Sequence, residues 1–238
     1  MNLLEWYIPL GLLVLLLGVL VRAHAYKVCP CFFSYVTFAS VAGAVRFLVR
    51  NQPAYYATYW ITEAGYDILG ILVMYEVLRT LPGTSTRAWW ARLIFPSVVL
   101  VGIAMSLART DAVPTRIVGL PHYMVVGEIA VRFVQVFVFA ILVTLVPLLG
   151  LRWRQYSFGI ATGFGLYATV MLLTTIKFSD FGTTFKLLWG WTSLVAYSVA
   201  VLIWIWFFSV PQKVTTSELS APAPGVLKEY KDALRRMR

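Results

Sequence analysis

Two pairs of charged residues stand at helical spacing inside apolar stretches. Glu63 and Asp67 are four residues apart within 55–81, a stretch that also holds Glu76. Glu128 and Arg132 are four apart within 122–149, with Gln135 less than one turn further on. Residues four apart share one face of a helix, and an acid preceding a base at that spacing is the favourable order. An ionisable side chain at bilayer depth costs at least ~2.5–3.5 kcal/mol and turns toward the protein interior. Taking the outer hydrocarbon edge near Trp60 and Tyr123, a rise of 1.5 Å per residue puts Glu63 at ~5 Å depth, Glu128 at ~8 Å, Asp67 at ~11 Å and Arg132 at ~14 Å. The simplest arrangement sets Arg132 between Glu128 and Asp67. One cation facing three carboxylates leaves negative charge in excess, which a proton on Glu63 or Asp67, or a bound cation, relieves. The chemistry expected of Glu63, Asp67, Glu128, Arg132 and Gln135 is therefore proton- or ligand-responsive binding. The competing reading is a buried ion network that only fixes helix packing. Glu76 is expected in an interfacial pair with Arg79 or Arg87, and Arg46 is expected to snorkel from the outer end of its helix.

Other chemistries lack their residues. Haem-bearing bundles use paired histidines at depth, whereas His24 and His122 fall at the ends of apolar stretches on opposite sides. A zinc site from His24, Cys29 and Cys31 would need three converging ligands, and Pro30 between the cysteines disfavours that geometry. The same proline disfavours a disulfide, so two thiols are expected. Lys186 lies too near the outer end of its stretch for a mid-helix Schiff base. No Gly-x-Ser-x-Gly, His-Glu-x-x-His or phosphate-loop motif occurs. The chain is read as non-enzymatic, without metal or cofactor.

The elements that position these residues follow from composition. The chain has 238 residues, 60% of them hydrophobic and 13% charged, against roughly 25% charged in soluble domains; lipid is the expected solvent for most of it. Seven apolar stretches, near 6–21, 32–49, 55–81, 90–108, 122–149, 158–178 and 185–210, are long enough to cross a hydrocarbon core of ~30 Å. The expected fold is all-α: a bundle of seven transmembrane helices over residues 1–210, followed by a flexible basic tail over 211–238. The tail ends in a short amphipathic pattern, Leu227, Tyr230, Leu234 and Met237 against Lys228, Lys231, Arg235, Arg236 and Arg238, suited to an anionic membrane surface or a protein partner; a frayed, solvated tail is the alternative.

Orientation rests on the ends. No basic residue precedes the first stretch, whereas Arg22 and Lys27 follow it, which places the N-terminus outside. Seven crossings then place the tail in the cytoplasm, giving a multi-pass inner-membrane protein. The net charge of +10 is assigned to helix ends facing anionic headgroups, and nucleic-acid binding is set aside because no basic globular domain is present. Tyr55, Tyr56, Tyr59, Trp60, Trp89, Trp90, Trp204 and Trp206 are read as interfacial belts. Gly159-x-x-x-Gly163 and Ala39-x-x-x-Gly43 are read as sites of close helix packing, and Thr162, Thr169, Thr174 and Thr175 as bonding to backbone or neighbouring helices.

The string Tyr56-x-x-Tyr59-Trp60-x-x-Glu63, followed by Tyr75-Glu76-Val77 and Leu81, resembles the third span of uncharacterised small seven-helix membrane proteins of soil bacteria. Those proteins are in turn similar to the membrane-embedded sensor halves of bacterial signalling proteins. No kinase, cyclase or phosphodiesterase segment follows here, so the resemblance implies a receptor-like or scaffold module that signals through a partner. A small proton- or ion-coupled transporter and a structural subunit of a larger membrane complex are the rival expectations.

Overall fold

The computed structural model describes residues 3–79, 88–108, 120–148, 155–181 and 185–210, with side chains over 7–79, 93–108, 122–144, 156–174 and 190–210. Among the described residues the chain is all-helical. Seven long helices form, α1 (Leu3–Arg22), α3 (Pro30–Val49), α4 (Tyr55–Arg79), α5 (Ala88–Ala108), α6 (Leu120–Leu148), α7 (Gln155–Phe181) and α8 (Phe185–Ser209), with one short helix, α2 (Ala25–Val28), between the first two. The short helix was not anticipated. His24 takes a left-handed backbone (φ 52°) ahead of it, and Pro30 opens α3 at its first turn, where the missing N–H costs nothing.

Stretches of α3, α6, α7 and α8 are long and apolar enough to cross a membrane; Tyr7–Arg22 of α1 and Leu93–Ala108 of α5 are shorter apolar helices. The helix α4 meets neither description because Glu63, Asp67, Glu76 and Arg79 interrupt it. Its surface pattern is nevertheless that of a lipid-facing helix. The exposed stripe is Ile61, Ile68, Leu72 and Tyr75, while Thr62, Gly70, Val73, Met74, Glu76, Val77 and Leu78 are buried. An apolar outer stripe with Thr62 and Glu76 turned inward is compatible with a hydrocarbon solvent.

Pairwise contacts fix the topology. Tyr7 meets Phe47 and Gly43 meets Leu10, so α1 and α3 run antiparallel. Arg46 meets Glu63 while Glu76 meets Cys31, so α3 and α4 do too. The same holds for α5 with α6, through Gly102–Val134 and Ser106–Val126, for α6 with α7, through Phe139–Gly165 and Arg132–Tyr167, and for α7 with α8, through Gly163–Trp204 and Tyr167–Tyr197. The long helices therefore alternate in direction. Six of them close a ring in the order α1, α3, α4, α6, α7, α8, and α5 packs outside it on α6 and α4.

The two halves of the ring differ. Toward the end where α3 and α7 begin, the centre is solid. Phe32, Phe164, Trp204 and Phe208 are at most 3% exposed and lie in mutual aromatic contact with Tyr35 and Tyr156, alongside Leu16, Leu20, Met74 and Val77. Trp204 is thus a core residue and not part of an interfacial belt; its indole N–H donates to the Ile160 carbonyl at 3.3 Å. Gly159 and Gly163 supply the notch, since a Cβ on either would collide with Phe207 or Trp204. Trp206, 70% exposed, does face outward. Thr169 and Thr174 bond back to their own helix carbonyls, as expected, whereas the Thr162 hydroxyl is buried without a partner among the described residues. The side chains of Trp89, Trp90 and Thr175, and the whole tail from 211, lie outside the described residues.

Candidate functional site

The other half of the ring is hollow. A cavity of about 780 Å³ is lined from all six ring helices: Leu10 and Leu13 of α1, Tyr35, Ala39, Gly43 and Arg46 of α3, Glu63, Tyr66 and Asp67 of α4, Arg132 and Gln135 of α6, Tyr167 of α7, and Gly190 to Tyr197 of α8. Among the described residues the outer helix, α5, contributes none of the lining. Four of the five residues singled out from sequence stand in this wall. Glu128 stands directly behind it, holding Arg132 through a bond of 3.1 Å to Nη2.

Register brings them together. The Gln135 amide lies against Gly70, where an added Cβ would stand 3.1 Å from Nε2. Since α4 and α6 run parallel, stepping back along both places Asp67 level with Arg132, and Glu63 level with Glu128. The depths read from the sequence, ~5 and ~8 Å for the upper pair and ~11 and ~14 Å for the lower, describe the same two tiers.

The partners differ from expectation in two respects. Arg46 does not snorkel. Its guanidinium donates from Nη1 to Glu63 at 3.0 Å, from Nε to the Thr62 hydroxyl at 2.6 Å and from Nη2 to the Tyr59 carbonyl at 3.1 Å, and it lies 4.7 Å from the Tyr59 ring and 5.4 Å from that of Tyr66. With 13% of its side chain exposed, against 17% for Glu63, it is a part-buried member of the site. The reason is the α3–α4 register: the planar fork finds three acceptors one helix away, a better exchange for hydration than headgroups offer. Second, Arg132 does not bridge to Asp67. It pairs with Glu128 and stacks 4.5 Å from the Tyr167 ring. Among the described residues no hydrogen bond or ion pair holds the Asp67 carboxylate. The site therefore sets two cations against three carboxylates, rather than one against three.

Two further polar atoms at the cavity have no partner among the described residues: Arg132 Nε and Gln135 Oε1, both buried, with Gln135 only 2% exposed overall. Buried polar atoms are nearly always satisfied. A donor, an acceptor and an unpaired carboxylate around one cavity form a wall with vacant bonding capacity. Four tyrosines complete it, as two edge-to-face pairs: Tyr35–Tyr66 with centroids 5.9 Å apart, and Tyr167–Tyr197 at 5.7 Å. Tyr66 also donates to the Ala39 carbonyl at 3.3 Å.

The chain matches no protein-family model, no curated protein and no solved structure.

Glu76 lies outside the site and does not pair with Arg79 as expected; Arg87 lies outside the described residues. It is 9% exposed, and its carboxylate accepts from the Cys31 amide at 3.0 Å and the Phe32 amide at 3.1 Å. These are free donors of the first turn of α3. Pro30 has none, and the Phe33 amide reaches the Cys29 carbonyl at 3.0 Å, so the helix start is fully satisfied. A sequence signal existed: α3 begins at Cys29-Pro30 with no Ser, Thr, Asp or Asn to cap it, so its donors had to find an acceptor elsewhere. No disulfide joins the cysteines; Cys29 is buried and Cys31 half-buried. No group of three metal-ligating side chains occurs among the described residues.

Proposed function

We propose that this protein is a seven-span inner-membrane protein, N-terminus outside and tail in the cytoplasm, acting as a non-enzymatic receptor-like module. A ligand or proton at Glu63, Asp67, Glu128, Arg132 and Gln135 biases the packing of the ring helices, and the basic tail passes that bias to a protein partner. The observation that carries this reading is the convergence of six helices on one polar cavity with unused bonding groups. A ligand that fills it borders every helix of the ring, so it can act on their relative packing.

The rival reading, a small proton- or ion-coupled carrier, uses the same acids as a relay. It requires a polar route onward from the cavity. Below Tyr35 the centre of the ring is filled by Phe32, Phe164, Trp204 and Phe208, and the buried Glu76 carboxylate at this end is taken up by the Cys31 and Phe32 amides. That block favours a blind binding site over a conduit.

Proteoliposomes separate the two: a pH gradient imposed across reconstituted protein is expected to dissipate no faster than across empty liposomes, and accelerated proton entry would favour the carrier. For the receptor reading, Asp67→Asn is expected to alter thermal stability as a function of pH between about 5 and 8, because it removes the unpaired ionisable group of the cavity. Superimposable stability profiles for wild type and variant would remove the basis for a responsive site.

A further inference from the structure

We infer that the cavity is built for an organic ammonium ion: a protonated amine carried on an apolar or aromatic body. The inference rests on the receptor reading and names the chemical class of its ligand.

Charge comes first. Arg46 and Arg132 face Glu63, Asp67 and Glu128, and the two arginines are paired with Glu63 and Glu128. One carboxylate, Asp67, is left over in the wall. Buried charges are paired or neutralised; a proton on Asp67 balances this set, and so does a bound monocation, which also gives the ionised carboxylate a partner. Bonding capacity comes second. An ammonium group carries only donors, and the wall offers it two acceptors from adjacent helices, the Asp67 carboxylate and the unpartnered Oε1 of Gln135. Gln135 sits less than one turn from Arg132 on α6, as Gly70 does from Asp67 on α4, so both acceptors border the same floor of the cavity. The third observation is aromatic. Tyrosine faces attract cations, and two rings of this wall already do so, Tyr66 beneath Arg46 and Tyr167 beneath Arg132.

The other ligand classes fit less well. An anion would find one unpartnered donor, Arg132 Nε, but would add to the surplus negative charge, and Arg46 is already engaged in three bonds. A metal ion of the hard class takes six or more oxygen ligands, and no cluster of three ligating side chains is present among the described residues. A volume of about 780 Å³ lies within the ~300–1,000 Å³ of small-molecule sites, far more than a bare ion needs.

Three probes with one phenylethyl body test the class: phenethylamine as cation, 2-phenylethanol as neutral isostere and phenylacetate as anion. Each is titrated to millimolar concentration against the full chain in nanodiscs, following thermal unfolding. Phenethylamine is expected to raise the unfolding temperature with concentration, and the other two are expected to leave it unchanged. Asp67→Asn is expected to weaken the amine by about 30-fold or more, as for removal of one partner of a buried charge pair. Gln135→Met, which keeps shape and loses the acceptor, is expected to weaken it by roughly 2- to 10-fold, and carries the test if the Asp67 variant does not fold. A shift with phenylacetate or 2-phenylethanol equal to that with the amine overturns the ammonium assignment and leaves a ligand-binding cavity standing. Amine binding unchanged in both variants overturns it by placing the amine elsewhere. Silence from all three probes also overturns the assignment; the receptor reading fails with it only if the pH profiles of wild type and Asp67→Asn coincide as well.

Discussion

Replacing Glu76 by alanine tests whether one carboxylate holds α3 in place. Its oxygens accept from the Cys31 and Phe32 amides. A buried donor left without a partner costs ~1–3 kcal/mol. The Phe32 bond is buried and the Cys31 bond only partly so, so the second amide recovers some hydration and the pair costs about 2–4 kcal/mol. Loss of the negative charge at a helix N-terminus adds ~0.3–1 kcal/mol. The expected destabilisation is therefore about 3 kcal/mol for Glu76→Ala. Glu76→Gln has one acceptor oxygen and presents an NH2 to the second donor, so it is expected near ~2 kcal/mol on the same scale. Geometry adds a second consequence. The helices α3 and α4 are fastened at two points, Glu76 to residues 31 and 32, and Glu63 to Arg46. The points are 13 residues apart on α4 and 14 or 15 on α3, or about 20 Å on each at 1.5 Å per residue. A slip of one residue breaks both. Reversible unfolding in mixed detergent micelles, read by far-UV circular dichroism, gives the energies. Amide hydrogen exchange at residues 31 and 32 gives the local effect, expected to accelerate in both variants. An alanine variant within about 0.5 kcal/mol of wild type, the range of an ordinary surface substitution, or a glutamine variant equal to wild type, refutes the capping argument.

Three other outcomes follow from the packing. Arg46→Ala leaves Glu63 part-buried without its cation and is expected to cost ~3 kcal/mol or more, whereas Arg46→Leu with Glu63→Leu is expected to recover most of that loss; a double-mutant cycle with coupling below ~0.5 kcal/mol would show that the pair is ornamental. Gly163→Ala drives a methyl into Trp204 and is expected to lower stability by ~1–3 kcal/mol, while Gly18→Ala, with nothing within 4 Å of the added carbon, is expected to be neutral or stabilising by up to ~1 kcal/mol; thermal melts of the two variants check the contrast. Trp204→Phe loses a buried indole bond and ring volume and is expected to cost at least ~1 kcal/mol, against less than ~0.5 kcal/mol for the exposed Trp206→Phe, measured in the same detergent titration.

The all-helical architecture and the inward placement of Glu63 and Asp67 on α4 were legible because they depend on local spacing and on the solvent. Long apolar stretches must be helical in lipid, and Glu63 and Asp67, four apart, cannot face acyl chains. Their meeting with Arg132 and Gln135 followed from the parallel direction of α4 and α6 and a similar depth. What could not be read was anything set by the register of two helices. Arg46 sits where an arginine can reach headgroups, and only the α3–α4 pairing shows Thr62, Glu63 and the Tyr59 carbonyl within reach. Glu76 has Arg79 one turn away in sequence, yet its partners lie 44 and 45 residues earlier and are backbone groups, which have no residue signature.

Trp204 shows the remaining gap. Its distance from the chain's last apolar residues suits an interfacial anchor, and only the notch at Gly159 and Gly163 tells that α7 comes close enough to bury it. The same glycines bear on the cavity. By drawing α7 onto α8, they let Phe207 pack on Gly159 and seat Trp204 where the lower half of the ring becomes solid. One to two turns up, the facing residues are Tyr167 and Tyr197, whose edge-to-face contact leaves the centre open to Arg132 and Asp67. The hollow and the plug are thus two results of one helix pairing. A substitution that moves α7 away from α8 is expected to alter the floor of the cavity along with the core, so Gly163→Ala should change probe binding there without touching any group that lines it.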